Sequence, residues 1–99
     1  MVRHIVMWNF KEGFTAEENE ANARKIKESL EALSPVIPGI ISLEVVISAL
    51  GSSNRDVVLN SLFTDEEALS NYITHPAHVG AGHFVRSVLV NRACADYIE

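Results

Sequence analysis

The stretch VRHIVMWNF, Val2–Phe10, decides how the rest of the chain is read. Its alternation predicts a strand with Val2, His4, Val6, Trp8 and Phe10 on one face and Arg3, Ile5, Met7 and Asn9 on the other. Both faces are largely apolar, the pattern of a strand buried on both sides, so the sheet that holds it needs two covers. Arg3, His4 and Asn9 interrupt the run. It is therefore read neither as a secretory leader nor as a membrane span.

The first cover follows at once. Thr15 and Glu18 make a capping-box pattern, which predicts a helix from about Ala16 to Leu33. Ala23, Ile26, Leu30 and Leu33 give it one apolar stripe, and Glu17 and Glu18 suit the positive end of its dipole. Ser34, Pro35, Pro38 and Gly39 end it. The β-branched run Ile40 to Leu50 predicts a second strand, Gly51 to Asn54 a turn, and Asp56 to Phe63 a third strand in hairpin with the second. Thr64 and Glu67 repeat the capping pattern before a second helix, Asp65 to about Ile73, with Ala68, Leu69, Tyr72 and Ile73 inward. His75 precedes Pro76, which disfavours helical backbone and predicts a stop near Thr74. A further helical piece from Val79 to Leu89 and a last strand from Arg92 to Ile98 complete the chain. The order β-α-β-β-α-β predicts a ferredoxin-like α+β fold, with one antiparallel four-stranded sheet and the helices on one face.

That arrangement leaves Ile5 and Met7 on a helix-free face. With 47% hydrophobic residues in 99, the chain has more apolar surface than one small core needs. A homodimer joined through the helix-free sheet faces is the expected second cover. Residues 1–99 are read as one domain. The net charge is -5, and the densest basic group, Arg24, Lys25 and Lys27, forms no stripe that could follow phosphates, so nucleic acid is not an expected partner. Nothing approaches membrane-spanning length, so no membrane partner is expected. The lone Cys94 cannot form an internal disulfide, and a cytoplasmic location is expected.

Asn71–Phe84, NYITHPAHVGAGHF, holds three of the four histidines. His75, His78 and His83 invite a zinc reading, but His75 before Pro76 should point away from the following helix and no cysteine is near. No metal site and no cofactor is assigned. GAG at 80–82 lacks the third glycine of a dinucleotide fingerprint; Gly80 and Gly82 more simply permit close packing or leave room for a ligand beside the helix. Cys94 on a strand is read as a small hydrophobe. Arg86 could anchor an acidic group, although a solvated or ion-paired arginine is the commoner arrangement.

Three stretches carry a resemblance: VRHIVMWNFKEG at 2–13, FTDEEALSNYITHPAHV at 63–79 and DYIE at 96–99. Together they are similar to the stress-responsive A/B barrel (Dabb) family, whose ferredoxin-like chains pair into a closed eight-stranded dimeric α+β barrel. The family includes stress-associated proteins and polyketide cyclases. The resemblance implies that Tyr72 and His78 match the cyclases' catalytic pair, with Asp96 at a matching acidic position. An imidazole base could take a proton next to a carbonyl, a phenol could hold the resulting oxyanion, and Asp96 could orient His78. His4, Val6, Trp8, Leu59, Ile73 and Gly82 would line the same pocket. Val57 stands where those cyclases place another histidine. A backbone-bonded histidine and a core tyrosine would look the same in sequence. The expected function is binding of a small apolar carbonyl compound between sheet and helices. The alternatives are a metal-independent acid–base enzyme of cyclase, isomerase or decarboxylase type, and a non-catalytic stress-associated structural dimer.

Overall fold

In the computed structural model, which describes residues 1–99, seven elements follow one another: β1 (Val2–Phe10), α1 (Ala16–Glu31), β2 (Ile40–Val46), β3 (Val57–Phe63), α2 (Glu66–Thr74), α3 (Pro76–Val88) and β4 (Leu89–Ile98). The sheet order is β2-β3-β1-β4, antiparallel throughout. This is the ferredoxin-like α+β architecture, with the second helical segment divided in two by Pro76.

β1 lies at the centre of the sheet and behaves as its alternation predicts. Val2, His4, Val6 and Trp8 are buried beneath the helices, while Arg3, Ile5 and Met7 are only half-buried on the opposite face. Ile26 and Leu30 from α1, Phe63 from β3 and Tyr72 from α2 complete the core over Val6, Val45 and Val57. Full burial of a side chain such as Phe63 contributes about 2–3 kcal/mol.

α1 begins as expected: the Thr15 hydroxyl accepts from the Glu18 backbone N–H at 3.1 Å, and the Glu18 carboxylate accepts from the Thr15 N–H at 2.9 Å. Its basic residues are engaged locally. Arg24 pairs with Glu20, Lys25 lies 4.1 Å over the Phe84 ring, and Lys27 bridges Glu31 and the Val45 carbonyl. Gly39 leads into β2 with φ 90°, and a Cβ there would lie 2.5 Å from the Ala68 Cβ. Only glycine fits both the backbone and the approach to α2.

Several expected boundaries move. α1 stops at Glu31, and Leu33 sits in a tighter turn that bonds back to Leu30. β2 ends at Val46 because its partner begins at Val57, and Leu50 is 77% exposed. The cap of α2 is Asp65, whose carboxylate accepts from the Ala68 N–H at 2.8 Å, and not Thr64. α3 starts at Pro76 instead of Val79. Proline suits the first helical position, where its missing N–H would have no partner. β4 starts three residues early, at Leu89, and reaches its register through a bulge opposite Trp8.

Candidate functional site

A cavity of about 460 Å³ opens between the sheet and the helices. β1 supplies His4, Val6 and Trp8 to its wall, and β3 supplies Leu59. α2 supplies Tyr72 and Ile73, and α3 supplies His78 and Gly82. The eight residues expected around a pocket thus border one space. Leu30, Val79 and Val85 add apolar wall, and Arg86 and Arg92 stand on it as well. Asp96 is not on the wall.

Tyr72 has no accessible surface, and its hydroxyl has no protein partner. Its ring packs against Phe63 at 5.0 Å between centroids and against His78 at 4.3 Å. Burial pushes its phenol up to about 12, so it remains a proton donor at any ordinary pH. An unmade hydrogen bond on a buried group costs about 1–3 kcal/mol, which makes this hydroxyl unusual among the polar atoms of the core.

His78 Nδ1 lies 3.1 Å from the Ile73 carbonyl. A carbonyl only accepts, so Nδ1 carries the hydrogen and Nε2 is the basic nitrogen of the neutral ring. Burial lowers the His78 pKa and so favours that neutral form; the Ile73 bond opposes the shift, and His4, Arg86 and Arg92 add smaller downward pushes. The other two histidines of the stretch do separate work. His75 caps α3, its Nδ1 accepting from the Ala77 N–H at 3.1 Å, so it does not turn away from the helix as the sequence suggests. His83 Nδ1 accepts from Arg86 at 3.3 Å.

The partner of Asp96 differs from the expected one. β1 and β4 place His4 and Asp96 directly opposite each other, and His4 Nδ1 bonds the Asp96 carboxylate. Asp96 therefore orients His4 and not His78. His4 is almost wholly buried; Asp96 closes the pair from the half-exposed edge of the sheet. The Cys94 thiol lies 3.6 Å from the same carboxylate oxygen and is held up in pKa by its partial burial and then by the Asp96 charge. A raised thiol pKa is the opposite of what a nucleophilic cysteine needs.

Of the two wall arginines, the sequence singles out Arg86 as a possible anchor for an acidic group, and Arg92 is the one that sequence reading missed. Arg86 is folded back over Gly82: a Cβ on that glycine would lie 2.9 Å from one guanidinium nitrogen. Arg92 sits in the bulge, beside Asn91, whose φ of 56° is the one left-handed non-glycine backbone in the chain. Neither arginine belongs to any of the four ion pairs, which join Arg3 to Glu99, His4 to Asp96, Arg24 to Glu20 and Lys27 to Glu31.

Among solved structures, the chain is similar to a dimeric protein of unknown function with a ferredoxin-like fold from Bacteroides fragilis. The two are 32% identical with a TM-score of 0.89, over 97% of this chain and 93% of that one. A Dabb family protein from Mesorhizobium loti is 22% identical with a TM-score of 0.71, over 99% and 95%. Hydroxynitrile lyase from Passiflora edulis is 14% identical with a TM-score of 0.80, over 99% and 92%, a likeness of fold alone. None of the curated proteins compared matches the chain. The stress responsive A/B barrel domain matches residues 2–99, so the chain belongs to the Dabb family.

Proposed function

We propose that this protein is a homodimer whose subunits each bind a small apolar carbonyl compound in the cavity between sheet and helices. The observation that carries the ligand reading is the Tyr72 hydroxyl, a buried donor without a partner on the wall of an otherwise mostly apolar space. Pockets that take small molecules combine such walls with a few placed polar groups. A ligand carbonyl would restore the missing bond after a small displacement of lining side chains, such as the half-buried His78 ring. The dimer reading rests on the helix-free face. There Ile5 and Met7 are flanked by Val58, Leu62, Ala93 and Ala95, and no element of the chain covers them. The similar Bacteroides protein is dimeric.

Titration of an aryl ketone, 2-acetylnaphthalene, by calorimetry tests the ligand reading. Tyr72→Phe is expected to bind about tenfold more weakly, the loss of one hydrogen bond, while its melting temperature holds or rises because no unpaired hydroxyl remains. Equal affinity in the variant would remove Tyr72 from the site. A melting temperature that drops sharply would mean the hydroxyl serves the fold.

A second reading is catalytic: metal-independent acid–base chemistry of cyclase, isomerase or decarboxylase type. It is favoured by the neutral His78 ring, with Nε2 left basic, packed at a tilt against a phenol that stays protonated. His78 would take the proton next to the carbonyl and Tyr72 would hold the oxyanion. Asp96 would act only through His4. Were a substrate turned over, His78→Ala would lower the rate by about 10²–10⁴-fold. A protein that neither binds nor turns over such compounds would be left with the role of a stress-associated structural dimer.

A further inference from the structure

The cavity wall is electrostatically one-sided. The chain has 13 acidic and 8 basic residues, yet none of the 13 wall residues is acidic and two are arginines. Both arginines lack a carboxylate partner. We propose that the mouth of the cavity is an anion subsite in which Arg86 and Arg92 hold the carboxylate of an apolar, carbonyl-bearing acid. This rests on the reading of the cavity as a ligand site and narrows it from carbonyl compounds to keto acids and aryl carboxylates of that size.

Each arginine is positioned by a local feature that does nothing evident for the fold. Gly82 is buried in α3, and its missing Cβ is what lets the Arg86 guanidinium lie back along the helix to the cavity. The His83 ring accepts from that guanidinium at 3.3 Å and leaves its other N–H groups free. On β4 the bulge puts two residues, Asn91 and Arg92, opposite Trp8. A bulge re-aims the side chain it carries, and this one turns Arg92 onto the same wall as Trp8. Asn91 adopts a left-handed backbone to make that turn, which an asparagine tolerates at some cost. The turn is secured by bonds from Asn91 Nδ2 to Asn9 Oδ1 at 3.3 Å and from Arg55 Nε to the Asn91 carbonyl at 3.2 Å. Both arginines border the same cavity as His78.

Arginine forks match a planar carboxylate in two parallel hydrogen bonds. The ligand would then lie with its carboxylate at the arginines, its apolar body against Trp8, Leu59 and Val85, and its carbonyl toward Tyr72. Asp96 is off the wall and already bonded to His4.

The test compares two probes of one shape, 2-naphthoate and 2-acetylnaphthalene, by calorimetry at low and at physiological salt. The native protein is expected to bind the carboxylate more tightly, with an advantage that shrinks as salt rises. Arg86→Gln and Arg92→Gln should each weaken the carboxylate by about tenfold and leave the ketone unchanged. Both positions are exposed, so the variants should fold, which circular dichroism checks. Ketone binding that equals carboxylate binding, or carboxylate affinity untouched by both variants, would overturn the anion subsite while leaving the cavity reading in place. Binding of neither probe would remove both.

Discussion

Val6 and Met7 are neighbours in β1, both apolar, and they meet opposite fates. Val6 is fully buried under the helices, whereas Met7 looks out from the other face with no element of its own chain above it. The polar groups on the covered side are mostly matched: Ser61 Oγ donates to the His4 carbonyl at 2.8 Å, and Asp96 takes the His4 N–H. On the open side the largest polar cluster is at one end, where Arg3 holds Glu99 through two bonds of 3.1 and 2.7 Å and Asn60 through a third at 3.0 Å. Around Ile5 and Met7 that face is carried by Val46, Val58, Ala93 and Ala95, with Ser42 and Glu44 on its β2 flank. One face thus specifies the fold and encloses a site, and the other offers adhesion without much detail.

The strongest way to break this comparison is to place the same charge on both sides. Val6→Asp would bury a carboxylate with no partner, a cost of several kcal/mol against a total stability of about 5–15 kcal/mol. The chain is expected to lose its cooperative thermal transition. A soluble, cooperatively melting Val6→Asp protein would mean the covered face is not the core it looks to be. Met7→Asp should instead fold, but as a monomer by light scattering at micromolar concentration. Its melting temperature should be lower than the native one and no longer rise with protein concentration. An undisturbed dimer would place the contact between subunits elsewhere.

A gentler contrast is titration. The covered face holds two groups that burial keeps neutral. His78 lies below its ordinary 6.5 in the folded chain, so on acidification the unfolded chain takes a proton that the folded chain refuses. Its contribution is whole above about pH 6.5 and is lost as pH falls through that window. Tyr72 works at the other end. The unfolded phenol ionises near 10 and the folded one only near 12, so stability falls as pH rises past 10. Urea midpoints from pH 7 down to 5 should therefore decline more steeply for the native protein than for His78→Gln. Parallel slopes would show that His78 takes up its proton equally in both states.

Much of this was readable beforehand, for identifiable reasons. The alternation in β1, the Thr15–Glu18 box and the periodic stripe of α1 are short-range signals, and short-range geometry follows from them. Leu50 misled because an apolar β-branched run says nothing about where its partner strand begins; only the pairing of Val46 with Val58 ends it. His75 misled because the rule for residues before proline forbids helix but does not forbid capping one. The link from Asp96 to His4 depends on register across 92 residues, which no local pattern records. Arg92 was invisible as a wall residue because the bulge that aims it is a backbone event at Asn91, and an asparagine within a strand pattern does not by itself announce a left-handed turn.

The pairing of β1 with β4 also has a temporal side. Val2 lies opposite Ile98, and the Glu99 N–H returns to the Met1 carbonyl at 2.9 Å. Pairings this distant along the chain slow folding, since the whole intervening length must first be ordered or looped. β2 and β3 are separated by a connection of modest length and can pair early; β1 precedes the other three strands in the chain and acquires its second partner last. Until residues 89–98 emerge, both the His4 pair and the Arg92 side of the cavity are missing. A ligand of this cavity would therefore act only on finished molecules, stabilising the completed protein without guiding its synthesis, and the nascent chain would pass through a stage in which its central strand β1 lacks one neighbour.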